Sequence, residues 1–406
     1  MATAETYPSE KPLGRAVELG CIALAVANVA YLIASYVTGT WLVAPNGLAI
    51  ESDFVNVWAA GHLVLQGNPA LAYDWPAHKA IEEIAVGHAF DGYFGWHYPP
   101  MFLFLAATLA LCSYVGGYVL WLVATFPAYV FVVRQITGER AGTLLALAFP
   151  AILSNFVVGQ NGFLTAGLIG GALLTIERRP VLAGIFVGLL TYKPHLGLLF
   201  PIALIAGAHW RAFTSAAVTT LLIAAASWLA FGAETWIAFF HSISHTSQAF
   251  LSDGWANFGK LQTLFGLLRT VGAPESVAWA AQVTLALAAT AVVAWIWRSD
   301  KPFEVKAAAL GTGAALATPY LYTYDLVVMA VPLAFLYRLG RRGTFLAYEA
   351  GAIIFACALI ASFPFVAAPT GFAAVCVIAA IVLRRAWSAT ACSSAPAASP
   401  MPRVSH

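Results

Sequence analysis

Residues 16–37, AVELGCIALAVANVAYLIASYV, form an apolar run interrupted by a single acid, and runs of this kind recur along the whole chain. A helix rising about 1.5 Å per residue needs roughly 20 such residues to cross a hydrocarbon core about 30 Å thick. Only 9% of the 406 residues are charged, against about 25% in soluble domains, and 61% are apolar. The chain is therefore expected to be an all-α, polytopic membrane protein. Its net charge of +2 gives no footprint for nucleic acid.

Thirteen apolar segments are candidates for crossing: 16–37, 99–113, 116–133, 141–158, 162–176, 181–192, 194–208, 212–231, 276–297, 306–320, 325–337, 344–363 and 371–383. The expectation is about 12–13 transmembrane helices. Lys11 and Arg15 ahead of the first run read as a retained signal anchor rather than a cleaved leader. Basic residues gather at one set of ends: Arg134 and Arg140, Arg178 and Arg179, Arg211, Arg298 with Lys301 and Lys306, Arg338 with Arg341 and Arg342, Arg384 and Arg385. By the excess of Lys and Arg on cytoplasmic loops, these ends face inward. Segments 38–98, 159–161, 232–275, 320–325 and 364–370 then face outward. Two apolar segments lie between outer 38–98 and inner Arg134, where an odd number of crossings is required. One of the thirteen is therefore expected to be broken, re-entrant or merged with its neighbour, with Pro127 or the Gly116-Gly117 pair marking the place. Residues 1–387 read as one transmembrane domain and 388–406, small, polar and Pro-rich, as a disordered cytoplasmic tail.

The two long outer segments are patterned. Phe54, Val57, Trp58, Gly61 and Leu65 fall on one helical face, with Asn56, His62 and Gln66 off it, and Gly67 and Pro69 end the helix. A helix with Trp on its apolar face is expected to lie in the membrane interface. The stretch TWIAFFHSISHTSQAF at 235–250 predicts a second helix of that kind, followed by FGKLQTLFGLLRTVGAP. Two such helices over a bundle would roof a cavity at the membrane surface.

Polar residues that could do chemistry sit at the outward ends of the spans. Asp53 precedes the helix of the first outer segment, where an N-cap and a catalytic carboxylate are both open readings. In WHYPP at 96–100, Trp96 and Tyr98 suit the headgroup level, and His97 can bond a phosphate or a carboxylate. SNFVVGQNG at 154–162 places Gln160 and Asn161 at a turn, with donors and acceptors suited to sugar hydroxyls. In TYKPHLG at 191–197, Lys193 has no acid near it in sequence and stands on the outward side, so an anion such as a phosphate would partner it; His195 follows closely. ATPYLYTYDLV at 317–327 brings Tyr324 and Asp325 to the same side, Asp325 as a helix cap or as a second acid. His241 and His245 have metal-ligand spacing but no HExxH glutamate and no third ligand, so no metal site is expected. Five cysteines are scattered without CxxC spacing. Glu349 is a lone acid near the inner end of a span, with no role from sequence.

An acid after the first span, GNPALAYD closing its helix, YPP opening the second span, GQN, KP, and a late PY…YD, in this order, resemble glycosyltransferase family 87 of the GT-C superfamily. The resemblance covers roughly residues 15–340. It implies an inverting transferase with a polyprenyl-phosphate sugar as donor, acting on a lipid or glycan acceptor at the outer face of a plasma (bacterial inner) membrane. Asp53 would be the base, Lys193, His195 and His97 the donor-phosphate ligands, and Tyr98, Gln160, Asn161, Tyr324 and Asp325 the sugar or acceptor contacts. Mannosyltransferases of the family carry histidines near the late motif, where this chain has Tyr324 and Asp325, so the sugar could be a mannose-like hexose or an arabinose-like pentose. No cofactor is expected, a divalent metal being left open. A lipid-linked sugar transporter is the rival reading, and the lack of an internal repeat and of midplane charges speaks against it.

Overall fold

The computed structural model describes residues 13–393, apart from 139, 256, 364 and 367, and the described chain is all-α, with two isolated β-bridges in place of strands. Lys11 and residues 394–406 of the expected tail lie outside the described residues. α1 (Arg15–Val37) leads into a looped segment that ends in α2 (Phe54–Leu65) and α3 (Trp75–Val86). Then come α4 (Leu103–Leu109), α5 (Tyr114–Thr137), α6 (Ala141–Leu147), α7 (Ile152–Val158), α8 (Gly162–Thr175), α9 (Pro180–Leu189), α10 (Pro194–Gly197) and α11 (Leu199–Ala206). The long α12 (Trp210–Ser247) precedes α13 (Leu264–Thr270), α14 (Glu275–Arg298), α15 (Phe303–Ala317), α16 (Ala330–Arg342), α17 (Glu349–Ser362) and α18 (Thr370–Ser393).

Among the described residues six helical stretches are long and apolar enough to cross a membrane, or seven if α6 and α7 count as one span, fewer than the 12–13 expected, because the other apolar segments form helices of 10–17 residues. Those two make up the expected segment 141–158 and are bent by 53°. Pro150 lies in the break; without an N–H it cannot continue the ladder. The parity conflict before Arg134 resolves at 99–113 instead of at Pro127, which sits inside an unbroken α5. Pro100–Leu109 is a 3-10 turn plus the two-turn α4, reaching roughly 15 Å at about 1.5 Å per residue, half a bilayer core. It packs against α2 and stops at Ser113, whose side chain caps α5 by accepting from the Gly116 N–H.

Two further expectations are corrected. α2 is not a surface helix with one wet face: Asn56 and the apolar residues around it are buried alike, leaving only its C-terminal end open. α3 packs on it and covers it, which the periodicity of α2 alone could not show. At the other end of the chain, α18 runs past residue 388 to Ser393, since SATAC contains alanines that favour helix and nothing that stops one. The expected division of 212–231 from a second helix at 235–250 does appear: α12 breaks at Gly232, at φ 79° and ψ 166°.

The helices share a polarity. α5 and α16 each carry arginines in the last turn, while α8 ends just before Arg178 and Arg179. Their opposite ends, with the C-terminal ends of α9 and α15, converge on the residues described next. At the basic ends, acids close the arginines. Glu304 accepts from Arg342 at 3.0 Å and faces Arg338 at 3.2 Å. The buried Glu349 accepts from Arg385 Nε at 2.8 Å and from the Leu346 N–H at 2.8 Å. That is the structural role the sequence left blank.

Candidate active site

Asp53 occupies the N-cap position of α2, yet its carboxylate accepts no bond from the helix N-terminus. Instead Oδ2 accepts from Gln160 Nε2 at 3.1 Å. The backbone before it is tied down: Ser52 Oγ bonds the Tyr114 hydroxyl at 2.9 Å, and Tyr114 also donates to the Ile50 carbonyl at 3.0 Å. Part of the surface of Asp53 stays accessible, although the protein crowded around the carboxylate strips it of bulk water. This desolvation pushes its pKa up to about 6. The Gln160 bond, Lys260 and Lys193 pull it down and Asp325 pushes it up, without reversing the shift.

Gln160 reaches Asp53 because α7 ends in a tight reversal. Gly159 has φ +68°, and a Cβ there would come within 2.7 Å of Phe54 Cβ and of the Tyr118 ring. The last carbonyls of α7 are satisfied by Tyr118, whose hydroxyl donates to Phe156 and Val157 at 2.8 Å each. Gly162 makes the second close approach, since a Cβ there would meet the Tyr324 carbonyl oxygen at 2.6 Å. The two glycines of GQNG thus let one turn touch both α2 and the late PY…YD motif.

From Gln160 a polar chain continues inward. Tyr98 donates to Gln160 Oε1 at 3.1 Å and accepts from Asn161 Nδ2 at 2.8 Å. Asn161 Oδ1 accepts from Lys193 Nζ at 2.8 Å, and Lys193 is ion-paired with Asp325. Both charged side chains are buried. Asp325 also accepts from the Tyr322 N–H at 3.1 Å, so it caps its 3-10 helix and pairs with the lysine at once. Lys193 can reach inward because Pro194 holds it out of helical geometry, at φ −130° and ψ 68°. Its ammonium lies 5.6 Å from the Tyr324 ring centre. Six predicted residues, from Asp53 to Asp325, therefore form one hydrogen-bonded line, with Tyr324 against its end. The expectation that Lys193 lacks an acid is overturned by tertiary folding: the acid is distant in sequence.

The two predicted histidines stand beside this line. His97 Nδ1 bonds Thr246 Oγ1 at 3.0 Å, and its ring meets Phe250 at 4.9 Å. Phe250 packs on Tyr320 at 6.4 Å, and Tyr320 on His195 at 5.9 Å. His195 Nε2 is buried without a partner. Burial lowers the pKa of His97 to about 4, so it is neutral at ordinary pH.

Sequence reasoning missed two groups. Lys260 acts electrostatically on Asp53 from the turn Phe258–Lys260, which reads as part of an apolar helical stretch in sequence. The other is a buried dyad on α3, His78 and Glu82, with Nε2 and Oε1 3.5 Å apart. Burial pushes Glu82 up to about 8, only partly offset by the Phe94 N–H, and His78 down to about 3, so both are uncharged near neutrality. Their i,i+4 spacing on a helix is visible in sequence; their burial is not. His241 and His245 are exposed, and no group of three or more possible metal ligands occurs among the described residues. They line a groove of about 550 Å³ with Tyr73, Asp74, Trp75 and Ser242, and the Tyr73 hydroxyl donates to the Tyr98 carbonyl at 2.9 Å.

Compared with known families, the chain matches the model of glycosyltransferase family 87 over residues 96–319, more than half its length. The protein belongs to glycosyltransferase family 87. It is thus a glycosyltransferase, and its apolar helices are those of a multi-pass membrane protein. The matched part opens at Trp96 of WHYPP and closes at Pro319, so it contains Tyr98, Gln160, Asn161 and Lys193. Asp53 and Asp325 lie outside it and join the family 87 region only through the contacts described above. No curated protein and no solved structure matches the chain.

Proposed function

We propose that this family 87 enzyme transfers a sugar with inversion from a polyprenyl-phosphate donor to a lipid or glycan acceptor, with Asp53 as general base. One observation carries the reading: Asp53 stands at a helix N-terminus without capping it, and its carboxylate is turned toward Gln160. A carboxylate held through one oxygen and turned away from the helix keeps its other oxygen available to accept a proton. With a pKa of about 6 it is ionised at neutral pH yet still basic, the range in which a general base works best.

In the proposed step the acceptor O–H attacks the anomeric carbon from the face opposite the phosphate. Its proton passes to Asp53, and the bond from the anomeric carbon to the phosphate oxygen breaks with its electron pair on that oxygen. The phosphate leaves readily as an anion, so the second carboxylate of a hydrolase, acting as general acid, is not required. The pair Lys193–Asp325 holds Asn161 and Tyr98 in register behind the reacting centre, and the unpartnered Nε2 of His195 is available to the donor. The groove beside Tyr73 and Trp75 offers aromatic faces and polar groups to an acceptor glycan.

A donor delivered through the bilayer implies a site on the outer face. The basic residues at the opposite ends of the contributing helices support that orientation. The test is Asp53→Asn, which keeps the size and one acceptor oxygen. Offered a radiolabelled polyprenyl-phosphate hexose, it is expected to lose transfer by about 10²–10⁴-fold while folding and expressing normally. Retained transfer removes Asp53 from the role of base. Movement of label across vesicles without any transfer would favour a transporter.

A further inference from the structure

The cation that sequence assigns to the donor phosphate, Lys193, is buried and already neutralised by Asp325. A departing phosphate diester becomes a monoester and gains negative charge, so it calls for a positive group not already paired. Lys260 has that character. Its side chain is exposed, and among the described residues no ion pair or hydrogen bond engages its ammonium.

The backbone around it is fixed. Asn257 adopts φ 66°, and its side chain accepts from the Gly259 N–H at 2.9 Å. Leu261 is buried and forms an antiparallel bridge with Tyr322. Next to it the Gln262 N–H donates to the Leu321 carbonyl at 2.7 Å, and Gln262 Oε1 accepts from the Gly371 N–H at 2.7 Å. The lysine therefore stands next to the residue paired with Tyr322, whose N–H is held by the same Asp325 that pairs with Lys193. Its charge is felt at Asp53 ahead of the charges of Asp325 and Lys193. An exposed ammonium on a rigid turn paired to the Tyr322–Asp325 motif, close enough for its charge to act on Asp53, has the placement of an anion ligand.

We infer that Lys260 is the residue that binds the phosphate of the prenyl-linked donor and holds the charge that grows on it as the sugar departs. The inference rests on the donor class proposed above and replaces Lys193 with Lys260 as the direct contact. Phospholipid headgroups and free phosphate share this chemistry, so the experiment separates the sources.

Full-length protein in detergent would be titrated with undecaprenyl phosphate, undecaprenol, inorganic phosphate and phosphatidylglycerol. The wild type is expected to prefer undecaprenyl phosphate to all three. Lys260→Ala should weaken that binding roughly tenfold or more, Lys260→Arg should largely restore it, and undecaprenol binding should not change. Because the ammonium lowers the pKa of Asp53, the acid limb of the transfer rate should also move to higher pH in Lys260→Ala and return in Lys260→Arg. Equal undecaprenyl phosphate binding by wild type and a folded Lys260→Ala overturns the assignment and leaves the donor class standing. A wild type that prefers phosphatidylglycerol or inorganic phosphate, or does not distinguish undecaprenyl phosphate from undecaprenol, overturns the donor class and this inference with it.

Discussion

Asp53 and Glu82 are both carboxylates short of water, and they give opposite pH signatures. Asp53 must be ionised to accept a proton, so kcat/KM should fall as pH drops through about 6, a limb that a pH–rate profile reads directly. Glu82 is raised from 4.5 to about 8, so the folded state binds more protons than the unfolded one between those values. Stability then declines as pH rises across that window, because ionising a buried carboxylate that the Phe94 N–H only partly compensates disfavours the fold. Thermal unfolding followed from pH 6.5 to 8, above the range in which the neutral His78 and His97 act in the opposite sense, should show Tm falling, and Glu82→Gln should flatten the slope. Lys193 and Asp325 form a third case. Removing the lysine alone strands a buried charge, at a cost of about 3–5 kcal/mol, whereas replacing both by apolar residues of similar size should cost far less. A double-mutant cycle on unfolding midpoints measures the difference.

The elements that build the site are mostly helix ends, and they explain what could be read in advance. Apolar runs marked the helices, though only six or seven among the described residues are long enough to cross a membrane where thirteen segments were expected, and the motifs at their ends supplied Asp53, Tyr98, Gln160, Asn161, Lys193 and Asp325. Pairings were not legible, because nothing local indicates that Gln160 would turn to Asp53 or that Asp325 would meet Lys193 from so far along the chain. Periodicity also misplaced α2, since a helix buried all round can still carry an amphipathic pattern when polar residues such as Asn56 are enclosed with it. Lys260 escaped notice because its turn is embedded in an apolar sequence whose bridge to Tyr322 is non-local. The reversal at Gly159 is the element most exposed to test. Gly159→Ala should lose about 1–2 kcal/mol from the left-handed backbone alone. The contact with Phe54 Cβ adds to that, and transfer should fall with stability as Gln160 leaves Asp53.

Across the whole molecule, the site and the arginines occupy opposite ends of the same helices. That separation predicts a labelling pattern. In a background where the five cysteines are replaced by serine, Asp91→Cys should react with an impermeant maleimide from outside intact cells, and Arg178→Cys only after permeabilisation. Both positions are exposed, so the readout reports sidedness rather than burial. The reverse pattern would place Asp53 in the cytoplasm and remove the case for a membrane-delivered donor. The joint at Gly232 bears on traffic at the end that holds the site. Beyond it, the upper limb of α12 rests on the first outer segment through the Thr246–His97 bond and the Phe239–Tyr73 contact. A limb that meets its lower half at one non-helical glycine, and the first long segment through aromatic packing as well as a hydrogen bond, is the element whose tilt would open a path for the lipid-linked donor proposed above while Asp53 and Gln160 stay where they are.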